Sequence, residues 1–397
     1  MSIPALMLGF QISGWIFFSA SIRDGHPDFR AYYTAGYLAR TGQIRQLYDY
    51  EAVKRVQDAH ISAEYVGMPF IHPAYEALLF IPFSFLGFHG AYFAFLCTNL
   101  LLLALCFRML HRRLESFSWG WELLPAAVLF TFLPVAAALM QEQDSILLLA
   151  LLTVAAAMLD DEKDARAGFL VGLGLFRLQL AIPIAVLFLL WRRWRFIGGF
   201  ALSSALVLVV SLWLTGITQT RLYLRSLASM SVGGTSPLEQ LRYSQPITHM
   251  GNLRALVFGL TSGWLSPLWV QVLTVALSVI ALLSLLGFAP HATGSKALLV
   301  AITASVLVSY HLFIHDMSIL VMPVAMALSQ SVRSWESGVP NTSLALSSAV
   351  MFSAPALMVF APFHFYLICL PLLWFLLALA RSASKVEVLG FPGEMSP

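Results

Sequence analysis

Charge is what this sequence has least of: 11% of its 397 residues are Asp, Glu, Lys or Arg, and the formal net charge is +3. A surplus that small builds no basic face for nucleic acid, whose backbone demands many cations. Cysteine is nearly missing too, with Cys97, Cys106 and Cys369 each inside an apolar run. That excludes a disulfide framework and metal-binding cysteine spacing, and leaves three small core side chains. Nowhere is there a polar stretch large enough to fold as a separate soluble domain. Nor do apolar and polar residues alternate as the strands of a membrane-spanning barrel require. Hydrophobic side chains fill the chain instead, 59% of residues, with a mean hydropathy of +0.80. Repeated Leu-, Ala- and Phe-rich runs long enough to cross a hydrocarbon layer of ~30 Å leave helices as the way to satisfy the backbone. The expected fold is an all-α polytopic membrane protein, one integral-membrane unit over residues 1–397.

Apolar runs lie near 3–22, 73–88, 90–109, 122–139, 145–159, 166–176, 178–191, 196–214, 266–288, 296–311, 316–330, 343–361 and 363–380. They predict about twelve or thirteen membrane segments. Several fall short of the ~20 residues of a perpendicular span and must be half-helices or dip in from one side. The first run has no basic residues before it and is long enough to span, so it reads as an uncleaved helix although Ser19, Ala20 and Ser21 resemble a cleavage site. A start further upstream, with a few basic residues, would hold its N-terminus in the cytoplasm. Positive charge gathers in HRRLE (111–115), DEKDAR (161–166), WRRWR (191–195) and the tail from Arg381 to Lys385, which the positive-inside rule assigns to the cytoplasm. The loop 23–72, QEQDS (141–145), FRLQ (176–179), the loop 215–265 and HLFIHD (311–316) then face the extracytoplasmic side. Parity is satisfied if 73–88, or one other short segment, does not cross.

These five outward pieces carry the polar inventory that the spans lack: Asp24, His26, Asp28, Arg40, His72, Glu142, Asp144, Arg177, Gln179, His249, Arg254, His315 and Asp316. Gathered beside apolar half-helices, they describe a water-filled cleft opening to lipid. Within the first loop, Phe29, Tyr32, Tyr33, Gly36 and Tyr37 recur at helical spacing, giving a helix with one face for the interface plane, ended by Gly42. A second amphipathic helix is expected from the N-cap Asp49 through Val53, Val56 and His60. Two such helices would roof a cavity, with Asp28 at the near end and His72 at the far end.

Arg177 stands out on physical grounds. A guanidinium between Phe176 and Leu178, amid about twenty apolar residues, is costly at membrane depth without an anionic partner. Its fork of donors suits a phosphate; snorkelling to the interface, or pairing with Asp144 or Asp316 to hold the bundle, are the alternatives. Asp144 reads as the N-cap of helix 145–159 ahead of a cleft-lining acid. Gln179 offers a further donor to substrate or a bond to a neighbouring helix. Arg221, Arg225, Arg242, His249 and Arg254, around GGTSP (233–237), suggest either a lid over a phosphate or a solvated connector.

Four stretches together resemble a known family. DFRAYYTAGYLARTGQIRQLYD (28–49) is similar to an acid followed by a Tyr/Ala-Gly helix and a Leu-Tyr-Asp segment, and FIHPAYEALLFIPFSFLGF (70–88) to an aromatic-Pro-Pro run entering a short helix. AGFLVGLGLFRLQLAIPIAVLFLLWRRWR (167–195) matches two short helices joined by a basic-x-Gln apex, and HDMSILVMPVAMAL (315–328) a late span. In this order they resemble glycosyltransferase family 87, polyprenyl-phosphate-sugar-dependent enzymes of the GT-C fold whose characterised relatives are bacterial mannosyltransferases. Ala74 replaces the usual second proline, and Arg177 stands where lysine is common.

The resemblance implies a GT-C-like bundle with its active site facing outward. It implies transfer of a hexose, mannose foremost, from a polyprenyl-phosphate sugar to a hydroxyl of a lipid or glycan acceptor, with inversion. It nominates Asp28 as the catalytic base, a position that bare sequence reads as a solvated loop acid or the cap of helix 29–40, with Asp24 as fallback. Arg177, Gln179, His72, His315, Asp316, Tyr33 and Arg254 make up the expected substrate-binding set. No cluster has the carboxylate density of a divalent-cation site, so no metal and no cofactor is expected beyond the donor itself. The competing class is a transporter or flippase, which would show inverted repeats and midplane charges that this sequence lacks. A ligase or polymerase of lipid-linked glycans is kept open by the loop 215–265.

Overall fold

The computed structural model describes residues 2–64, 66–111, 114, 124–232, 247–291 and 293–385. Among them secondary structure is helical throughout, as composition requires of a chain in lipid. Helix α1 is Ser2–Arg23, and the first loop forms α2 (Phe29–Arg40) and α3 (Tyr50–His60). Asp49 caps α3 as expected, accepting from the Glu51 and Ala52 amides at 3.0 and 3.2 Å. Gly42, at φ +74°, supplies the left-handed residue that turns the chain after α2. The expectation of α2 as a helix lying on the interface is corrected, because Phe29–Gly36 and Leu38 are all buried. Phe29 stacks on Phe95 and meets Phe80, Phe88 and Tyr92 edge-on or tilted, centroids 5.5–6.3 Å apart. Gly36 is obligatory at this contact, since a Cβ there would strike the Phe80 carbonyl.

The run 73–88 forms no helix of spanning length; it winds through 3-10 turns at Ala74–Phe80 and Phe83–Phe85. Next come α4 (Phe88–Leu110), α5 (Leu124–Thr131), α6 (Leu133–Gln141) and α7 (Ser145–Asp160). The single run predicted at 122–139 is thus broken, with Pro134 opening α6 where its missing N–H costs nothing. Then α8 (Asp164–Leu173) and α9 (Leu178–Leu190) follow, joined by a 3-10 turn at Gly174–Arg177.

By length and composition six described stretches could cross a membrane, Asp164–Leu190 among them. That stretch instead folds back at Arg177, whose φ/ψ of −110/67° leaves the helical region. The ends of the hairpin meet: Arg193 Nη2 lies 3.1 Å from an Asp164 carboxylate oxygen. A straight helix of that length would separate them by about 40 Å.

Helix α10 spans Trp194–Val232 but breaks at Gly216, φ +77°. Its first half packs against α8 so closely that a Cβ at Gly168 or Gly199 would run into the Phe196 or Ala165 carbonyl, the small-residue contact that membrane helices use. Its second half leaves along the first loop, where Gln219 accepts from the Tyr48 amide at 3.0 Å. Thus 217–232 is helix, not the irregular connector expected there; GGTSP and Arg242 lie outside the described residues, as do Arg112, Arg113 and Glu115 of HRRLE. The chain finishes with α11 (Leu253–Thr261), α12 (Pro267–Ser284), α13 (Gly294–Val308), a 3-10 turn at Ile314–Leu320, α14 (Val321–Glu336), α15 (Thr342–Ser353), α16 (Leu357–Phe360) and α17 (Cys369–Lys385).

The outward surface fits lipid rather than water. Only 17% of the most apolar window of Trp194–Met230 is buried, at a mean hydropathy of 2.1, and Trp213 and Phe17 stand 78% and 86% exposed. Inside the bundle, hydroxyls turn back on their own helices, as Thr153 does to the Leu149 carbonyl at 2.8 Å and Thr303 to Leu299 at 2.9 Å.

Candidate active site

All five polar pieces predicted to share a side come together around one cavity of about 1020 Å³. Asp28 and His72 reach it from the first loop, Gln141 and Gln143 from the turn between α6 and α7, and Arg177 and Gln179 from the hairpin apex. Tyr223 and Arg254 come from 215–265, and His311 and His315 from the turn after α13. Phe18, Ile182, Pro183, Leu227 and Met230 add apolar wall.

Asp28 does not cap α2 with its side chain. Its Oδ2 accepts from Gln143 Nε2, and its own amide donates to Gln141 Oε1 at 3.1 Å. Burial pushes its carboxyl up to about 6, with the Arg177 guanidinium pulling the other way and Asp316 adding to the rise.

Arg177 is almost fully engaged within the chain. Nε donates to Asp144 Oδ1 at 2.6 Å, Nη1 pairs with Asp316 Oδ1 at 2.8 Å, and Nη2 donates to Gln143 Oε1 and, at 3.2 Å, to the Tyr32 hydroxyl. Among the described residues these contacts take up four of its five N–H groups, leaving one on Nη1. The reading of Asp144 as a helix cap is corrected: its carboxylate makes no cap bond and serves Arg177 and the Tyr32 hydroxyl instead.

Tyr33 does not line the cavity. Its hydroxyl donates to the Leu86 carbonyl at 3.0 Å and its ring meets Phe88, whereas Tyr32 faces the site. The helical repeat explains it: Tyr32 is one turn from Asp28, while Tyr33 is rotated by about 100° from Tyr32. Asp316 is fully buried behind the wall, its Oδ2 accepting from the Phe313 amide at 2.9 Å. His72 lies with Nε2 3.4 Å from the Tyr32 hydroxyl, and burial drives its imidazole down to about 4, so it is neutral at pH 7. Arg254 stacks over the Tyr310 ring, 3.9 Å from its centroid, and Nη1 donates to the Tyr310 carbonyl at 3.0 Å.

Sequence spacing also hides a second group. His72 Nδ1 is 2.9 Å from Glu76 Oε2 and 3.5 Å from Asp144 Oδ2, and the three residues offer ligand atoms within 4.8 Å of one another. By distance they fit a small cation, although Arg177 already brings positive charge to Asp144. The i,i+4 spacing of His72 and Glu76 was the available signal; nothing in the sequence links either to Asp144.

One cavity of a helical membrane bundle thus holds a carboxylate, guanidinium groups and an apolar wall, and comparison with known proteins supplies the class. The model of glycosyltransferase family 87 matches residues 70–323, more than half of the chain. The chain belongs to glycosyltransferase family 87. No curated protein and no solved structure matches it. As a family 87 member it is a membrane glycosyltransferase, so sugar donor and acceptor are the molecules its site must hold. The region matched to family 87 contains His72, Gln143, Arg177, Gln179, Arg254, His315 and Asp316 and begins after Asp28.

Proposed function

We propose that this family 87 enzyme moves a hexose, mannose foremost, from a polyprenyl-phosphate sugar to a hydroxyl of a lipid or glycan acceptor, on the extracytoplasmic face of the cell membrane. The observation that carries the reading is one cavity holding Asp28, Arg177 and Arg254 beside an apolar wall of Phe18, Ile182, Pro183 and Leu227. A polyprenyl chain needs the wall, and its phosphate needs the cations. Orientation is supported by Lys163, Arg166, Arg192, Arg193 and Arg195, which cluster at the opposite end of the α8–α9 hairpin from the cavity.

Asp28 takes the proton of the acceptor hydroxyl as its oxygen attacks the anomeric carbon from the face opposite the phosphate. The carbon–oxygen bond to phosphate breaks with inversion, and the leaving polyprenyl phosphate gains negative charge. Arg254 and the remaining Arg177 N–H stabilise that charge, with Gln179 and His315 on the same wall available to sugar hydroxyls. The reaction so written needs neither a metal ion nor a further cofactor.

The test uses membranes containing the full chain and radiolabelled polyprenyl-phosphate mannose, comparing wild type with Asp28→Asn and Arg254→Ala. Labelled glycolipid or glycan from wild type, loss of at least ~100-fold in Asp28→Asn and a raised donor KM in Arg254→Ala are expected. Undiminished transfer by Asp28→Asn removes the base. Label that crosses the membrane without bond formation replaces the enzyme reading with transport.

A further inference from the structure

We propose that Gln143 is a positioning residue of the transfer reaction: gripped by Arg177, its amide fixes which oxygen of Asp28 is presented to the acceptor. The inference rests on Asp28 being the base. Four consecutive residues where α6 gives way to α7 tie together three other elements, the start of α2, α4 and the hairpin apex. Gln141 Oε1 accepts from the Asp28 amide at 3.1 Å, and Glu142 Oε2 accepts from Asn99 Nδ2 of α4 at 2.9 Å. Gln143 bonds Asp28 and Arg177, and Asp144 bonds Arg177. Glu142 sits at φ +52°, a conformation that a non-glycine residue holds only where its surroundings fix it.

The amide of Gln143 has one possible orientation here. Its Oε1 accepts from Arg177 Nη2 and, at 3.0 Å, from the Tyr32 hydroxyl, both donors, so Nε2 must face Asp28. Asp28 Oδ2 is thereby occupied, which leaves Oδ1 for the acceptor proton. Arg177 thus acts on the base through a neutral amide as well as through its own charge. The bond also favours the ionised carboxylate against the burial that disfavours it. The other charged or titratable groups acting on Asp28 are Arg177 from the hairpin, Asp316 from the late 3-10 turn and His72 from the first loop.

Gln143→Glu tests this, because it keeps the size and the acceptor for Arg177 and loses the donor toward Asp28. With the full-length enzyme, kcat/KM for the acceptor is measured from pH 5 to 8.5 at saturating polyprenyl-phosphate sugar, for wild type, Gln143→Glu, Gln143→Met and Asp28→Asn. In Gln143→Met the acidic limb is expected to move up by about one pH unit, a roughly fivefold loss at pH 6 that shrinks at pH 8.5, and in Gln143→Glu, which also sets a second carboxylate beside Asp28, by at least as much. A uniform loss in kcat/KM with the limb unmoved, while Asp28→Asn is inactive, overturns the role of Gln143 alone. Transfer retained by Asp28→Asn overturns the base assignment and this inference with it. Gln143→Glu keeps the assay informative should Gln143→Met fail to accumulate.

Discussion

Arg177, at the apex of the α8–α9 hairpin, pairs through Nη1 with Asp316 of the late 3-10 turn at 2.8 Å while its Nε holds Asp144 at 2.6 Å. One guanidinium therefore ties together the hairpin, the start of α7 and the segment leading into α14. Both carboxylates are fully buried. Arg177→Met leaves two buried acids without their cation and should cost about 3–5 kcal/mol. Thermal denaturation of the detergent-solubilised protein would show it as a clear fall in the midpoint. An unchanged midpoint means Arg177 serves substrate rather than the bundle.

The burial of Asp28 sets a pH dependence. Its carboxyl is pushed up to about 6, and a base works ionised, so activity is full above that value and falls roughly tenfold per pH unit below it. A kcat/KM profile of wild type flat down to pH 4.5 is incompatible with Asp28 in this role.

Two neighbouring tyrosines should behave differently. The Tyr32 hydroxyl touches Gln143, Asp144, Arg177 and His72, so Tyr32→Phe is expected to lower transfer roughly tenfold, ~1.4 kcal/mol. Tyr33→Phe breaks only a bond to the Leu86 carbonyl and should leave transfer within about twofold. Equal losses in initial-rate assays of the two variants would contradict the geometry.

The seam between α8 and α10 is a further point of sensitivity. Gly168→Ala places a methyl against the Phe196 carbonyl, and Gly199→Ala one against Ala165. Overpacking of this kind costs about 1–3 kcal/mol. Gly198→Ala, one residue away with open space at its Cβ position, is the control that should leave the melting midpoint where it was.

Much of this arrangement was legible in the residues. Composition and run length foretold the helical bundle, and the structure brings Asp28, His72, Arg177, Gln179, Arg254 and His315 to one cavity wall. The choice of Tyr33 over Tyr32 missed a helical phase that Asp28 already fixed. Gln143 was unreadable for another reason: its partners sit on distant elements, and only folding puts it between Asp28 and Arg177, just as only folding brings Asp144 to the i,i+4 pair His72 and Glu76. The Asp144 reading failed because a local cap and a distant ion pair compete for one carboxylate, and the pair wins when burial removes water as a partner.

The hairpin closed by Arg193 and Asp164 enters and leaves the bundle at the same end. It therefore delivers a cation to the cavity while contributing nothing to the tally of crossings. Excising it would leave every downstream segment pointing the way it does now, and a reporter fused after α17 would stay in its original compartment while the cavity lost its central tie.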